Sequence, residues 1–107
     1  MTMTTPLATL QNLQRLYQNG FQDPVTDAVL IKVAVSQVAR DEVVLHDLER
    51  DLRELEEQYQ MSSHEFFERW QAGEMDDTAD FMDWNALYQM ATEVRARLEL
   101  LRGKQVA

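Results

Sequence analysis

Cysteine is missing from all 107 residues, which removes disulfides, thiolate catalysis and the commonest structural zinc sites together. Glycine and proline are nearly as scarce, at three and two. They fall at the joints between helical stretches or near the N-terminus, and such economy argues for an all-α fold. Basic residues number 10 against 19 acidic ones, a formal charge of −9. With a pI near 4.5, that balance repels phosphate backbones and anionic lipid, so neither nucleic acid nor a membrane surface is an expected direct ligand. No segment approaches the roughly 20 apolar residues of a membrane span. The opening MTMTTPLATLQNLQRL also lacks a cationic stretch followed by an unbroken apolar one, so a cytoplasmic protein is expected.

Catalytic signatures are absent too. There is no glycine-rich phosphate loop and no nucleophile elbow, and neither His46 nor His64 stands in an HExxH spacing. Carboxylates are plentiful, but a general acid needs a raised pKa in an apolar cleft, for which a small helical domain has little room. Glu74, Asp76, Asp77, Asp80 and Asp83 offer oxygen ligands, yet the alternate-position spacing and central glycine of a calcium loop are missing. The chain is therefore expected to be no enzyme and to carry no cofactor or metal.

What is present is helical periodicity. Leu7, Leu10, Leu13 and Leu16 recur at intervals of three and predict a short helix that ends at Asn19-Gly20. Asp23 as N-cap, Pro24 at the first position and Asp27 in the first turn start a second helix, which runs without a breaker to about Tyr59. Its first half, Val29 to Val38, is apolar nearly all round. In its second half Val38, Leu45, Leu48, Leu52, Leu55 and Tyr59 follow the 3-and-4 spacing of a coiled-coil seam. Glu49/Arg53 and Arg50/Glu54 are spaced as i, i+4 ion pairs on its solvent face, each worth a few tenths of a kcal/mol. Ser62 and Glu65 have capping-box spacing, Gly73 suits a left-handed stop, and Asp77 or Thr78 can cap a last helix. That helix carries the stripe Phe81, Trp84, Tyr88, Ala91, Val94, Leu98 and Leu101. Arg95, Arg97, Arg102 and Lys104 near its end suit the negative pole of the helix dipole.

The predicted architecture is a small helical bundle in one domain, residues 1–107. It is built on the long helix, the short capped helix and an antiparallel returning C-terminal helix, with residues 1–5 and 103–107 fraying.

Residues 64–84, HEFFERWQAGEMDDTADFMDW, set Phe66, Phe67, Trp70, Phe81 and Trp84 among closely spaced carboxylates with one arginine. Most of these rings are expected in the core. Adjacent Phe66 and Phe67 diverge by about 100° on a helix, so one of them, or Trp70, stays near the surface. An aromatic ringed by carboxylates fits an interface for a basic partner.

The stretch resembles small prokaryotic antitoxin-like proteins of two-gene toxin–antitoxin pairs. Three patterns carry the resemblance: E-x-x-Y-x-M-S-S-x-E-F at Glu56, Tyr59, Met61, Ser62, Ser63, Glu65 and Phe66; G-E-x-x-D-x-x-D-F at Gly73, Glu74, Asp77, Asp80 and Phe81; and W-x-x-L-Y at Trp84, Leu87 and Tyr88. One departure is Asp76-Asp77 where that pattern has glycine then aspartate. The resemblance implies a protein that binds and neutralises a cognate basic, ribonuclease-type toxin, with Glu65, Phe66, Trp70, Glu74, Asp77 and Asp80 as candidate contacts. No basic recognition helix supports direct DNA binding. The alternative is a coiled-coil-like scaffold that homodimerises through the seam on residues 38 to 59.

Overall fold

The computed structural model describes residues 5–103. It is built from four helices, α1 (Pro6–Gln18), α2 (Pro24–Tyr59), α3 (Ser63–Gln71) and α4 (Ala79–Leu101). Residues 1–4 and 104–107, most of the two ends expected to fray, lie outside the described residues. The chain divides into two compact units, Met1–Val33 and Ala34–Ala107, and the boundary falls inside α2.

In the first unit, Thr5 caps α1 by accepting a hydrogen bond from the Ala8 N–H at 3.1 Å. Asp23 starts α2 as expected, with its carboxylate accepting from the Thr26 N–H at 3.1 Å. The turn between them is held by the Tyr17 hydroxyl, which donates to Asp27 at 2.6 Å, and by an edge contact of Tyr17 with Phe21. No residue of α1 is buried, and the buried residues of α2 begin only at Asp41.

The second unit holds the core: Leu48, Leu52, Phe66, Trp84, Ala91, Val94 and Leu98. Tyr59 meets Asp80 and, at the other end, Asp41 meets Arg97, so α4 runs antiparallel to this part of α2. The seam on α2 is thus closed by α4 of the same chain, with Val38, Leu45, Leu55 and Tyr59 packed at its margins. Leu48 and Leu52 of the seam are buried there, while its other members are partly buried.

Local signals account for the ends of each helix. Ser62 accepts from the Glu65 N–H at 3.1 Å and Thr78 from the Phe81 N–H at 3.2 Å, so Thr78 is the cap. Only half of the expected capping box forms, because the Glu65 carboxylate turns to Arg69 at 3.1 Å. Gly73 takes φ +74°, the left-handed value a stop requires. Gln60, just past α2, adopts φ 51° without being glycine, a conformation that costs a side-chain-bearing residue about 1–2 kcal/mol.

Candidate functional site

Phe66 is wholly buried and stacks on the equally buried Trp84, with centroids 4.1 Å apart and planes 4° from parallel. Phe81 and Tyr59 close round this pair at 5.5 Å from Phe66 and 5.7 Å from Trp84 respectively. The Trp84 indole N–H donates to the buried Ser63 hydroxyl at 2.9 Å, so the one polar atom of the pair is satisfied inside the core. The Ser63 N–H in turn donates to Glu56 at 2.7 Å. Phe66, a candidate contact from sequence, therefore has no surface to offer a partner: the helical turn of α3 that buries Ser63 buries Phe66 with it.

Phe67, about 100° further round α3, faces the other way. It is half-buried and stacks on Tyr88 of α4 at 4.7 Å. The two rings form part of the lining of a groove of about 760 Å³ between α3 and α4, completed by His64, Glu68, Gln71, Gln89, Thr92 and Glu93. No lysine or arginine lines it. Glu68 and Glu93 leave a negative margin beside the rings. His64 lies across it, with Nε2 2.9 Å from Glu68 and Nδ1 3.3 Å from the Tyr88 hydroxyl. An aromatic floor with a carboxylate margin can take an aliphatic or planar cationic side chain, the floor giving dispersion and cation–π contact and the margin giving charge.

The other candidates from sequence are dispersed. Glu65, Glu74 and Asp77 are exposed, and Trp70 is half-buried with its ring tilted on Phe66 at 5.8 Å. Asp80 is half-buried and already accepts hydrogen bonds from Tyr59 and, at 3.4 Å, from Gln58. Donation to that carboxylate raises the Tyr59 pKa above its ordinary value, with desolvation second. These residues do not line the groove. The groove's own residues were hard to find from sequence because Glu93 and Tyr88 lie a full helix away from Phe67. The one available signal was the divergence of Phe66 from Phe67.

A second polar feature was also missed. Asp41 is 2 % exposed and receives both Nε and Nη2 of Arg97, at 2.8 and 2.7 Å, with Gln37 donating at 3.0 Å. The guanidinium holds the Asp41 carboxyl below the ordinary carboxylate range, against a smaller opposing effect of desolvation. Arg95 and Arg102 likewise reach across to Glu49, at 3.5 Å, and Glu42. The basic end of α4 is therefore spent on α2 and not only on its own helix dipole, while Lys104 lies outside the described residues. Glu49 and Arg50 do not make the expected i, i+4 pairs, since Arg50 lies beside Asp47 and Asp51. Among the described residues no three histidine or carboxylate groups converge as a metal site would require.

Compared with protein-family models, with curated proteins and with solved structures, the chain matches none.

Proposed function

We propose that this chain is a binding protein that captures a basic protein partner in the α3–α4 groove, in the manner of an antitoxin that masks a ribonuclease-type toxin. The observation that carries the reading is the Phe67–Tyr88 stack beside Glu68 and Glu93 in a groove lined by no lysine or arginine. The wider surroundings favour the same sign of partner. Arg15 and Lys32 balance Asp23 and Asp27 in residues 1–33, so the whole −9 of the chain resides in residues 34–107. A ribonuclease-like surface must be positive to hold RNA, and it would be steered toward such a field before the rings engage. The contact set differs from the one expected from sequence: Phe67 takes the anchoring role in place of Phe66, with Glu68 and Glu93 beside it and Glu65, Glu74 and Asp77 contributing longer-range charge.

Co-expression with the product of the neighbouring reading frame tests this. That product alone should arrest growth, this chain should relieve the arrest, and the variant Phe67→Ser/Glu93→Lys should fail to relieve it while keeping its helical circular dichroism. A harmless neighbour, or full relief by the folded variant, would overturn the reading.

A further inference from the structure

The polar groups around the α3–α4 groove have spent donors and kept acceptors. The Thr92 hydroxyl donates to the Tyr88 carbonyl at 2.9 Å, which leaves the lone pairs of its oxygen to offer. The Gln89 amide nitrogen is tied to Asn85 at 3.1 Å, with its carbonyl oxygen uncommitted. Glu68 on α3 and Glu93 on α4 are acceptors outright when ionised, one from each wall. His64 reaches one oxygen of Glu68, at 2.9 Å, and leaves the second. Arg97, one turn beyond Glu93, is committed to Asp41. Acceptors drawn from two helices thus border the stacked rings of Phe67 and Tyr88.

We infer that the occupant of this groove is an arginine side chain of the protein partner, its guanidinium lying against the Phe67 and Tyr88 rings between Glu68 and Glu93. Two properties select arginine over lysine. The first is the number and spread of donors: a guanidinium carries five N–H groups fixed in a plane, which can serve acceptors on both walls together, whereas an ammonium is a compact point with three. The second is hydration. The planar ion is the more weakly hydrated of the two and stacks flat on an aromatic face, so it gives up less on leaving water for this floor. An apolar side chain would leave the acceptors unpaired, and an acidic one would meet Glu68 and Glu93. The inference rests on the reading of the groove as a basic partner's docking site and narrows it to one side chain, of the kind a phosphate-binding surface displays.

Nuclear magnetic resonance titration of the isotope-labelled full-length chain is the test, with capped glycyl-arginyl-glycine and glycyl-lysyl-glycine as probes. Resonances of Phe67, Tyr88 and Thr92 should shift at up to about 10 mM peptide, the range in which a one-residue anchor binds. The arginine peptide should bind at least ~tenfold more tightly than the lysine peptide. Asymmetric dimethylation of its guanidinium, which keeps the charge and blocks donors, should remove most of that preference. Thr92→Val deletes one acceptor with little change of shape and should narrow the preference, while Thr92→Ser, which keeps the oxygen, should restore it. Glu93→Gln should weaken both peptides. Thr92 and Glu93 are exposed, and far-ultraviolet circular dichroism checks that the helices persist in each variant. Equal affinity for the two peptides, or no shift at the groove resonances, overturns the inference. If lysine matches arginine while the product of the neighbouring reading frame is still captured through Phe67, the arginine assignment alone falls; if arginine is preferred but that neighbour is harmless, the toxin reading falls and the arginine site stands.

Discussion

Replacing Phe66 by alanine removes the ring on which Trp84, Phe81 and Trp70 all rest, at 4.1, 5.5 and 5.8 Å. A fully buried phenylalanine reduced to alanine costs about 3–5 kcal/mol, from lost transfer energy and from the cavity its rigid neighbours cannot collapse into. The unit Ala34–Ala107, at the usual ~0.05–0.15 kcal/mol per residue, holds on the order of 4–11 kcal/mol. The substitution therefore consumes roughly a quarter or more of its stability, and the melting temperature should fall by roughly 12–40 °C. Phe67→Ala is the control one residue away. Its ring is half-buried and rests on Tyr88 alone among the aromatic side chains, so its loss should cost about 1 kcal/mol and a few degrees. Urea titrations followed by far-ultraviolet circular dichroism and tryptophan fluorescence measure both. Equal costs at the two positions, or a cost below about 1 kcal/mol at Phe66, would refute the assignment of Phe66 to the core and of Phe67 to the groove.

The pair Asp41–Arg97 sets an acid limit. Because the folded-state pKa of Asp41 is depressed below the ordinary 3.8, its contribution is present above that value and is lost as pH falls through the folded one, so Asp41→Asn should flatten acid denaturation below about pH 4. Arg97→Met alone should destabilise by leaving a buried carboxylate unpaired, and Asp41→Leu/Arg97→Met should recover that loss in chemical denaturation. At the alkaline end, the Asp27 carboxylate that accepts its proton lifts the Tyr17 hydroxyl from 10.0 to about 12, so the contribution of that contact is complete below pH 10 and disappears as pH rises through 12. Tyr17→Phe should abolish this late tyrosinate step in a spectrophotometric titration. Ser63→Ala strands the Trp84 indole N–H in the core and should cost about 1–3 kcal/mol by thermal melting. Gln60→Gly relieves a left-handed side chain and should stabilise by about 0.5–1 kcal/mol in the same assay.

Four helices and most of their ends were legible from local residues alone. Asp23 and Ser62 cap because each side-chain oxygen meets an N–H three residues on, Gly73 stops α3 because a glycine accepts a left-handed φ without strain, and the sequence narrows the cap of α4 to Asp77 or Thr78, of which the structure uses Thr78. Those interactions span one helical turn, so they are written locally. The seam was legible for the same reason, and it even held a place for Asp41: the 3-and-4 spacing that joins Val38 to Leu45 passes through position 41, where an aspartate replaces the expected apolar residue. What the spacing could not state is that Arg97, 56 residues away, neutralises it. The same limit governs the site. That one of Phe66 and Phe67 must face outward follows from helix geometry. Which one does so was decided by Trp84 and Ser63 taking Phe66 into the core, and the groove exists only because α4 returns with Tyr88 and Glu93 beside Phe67. Local hydrogen bonds and periodicity fix which faces a helix has; only the packing of distant segments decides which of those faces is covered.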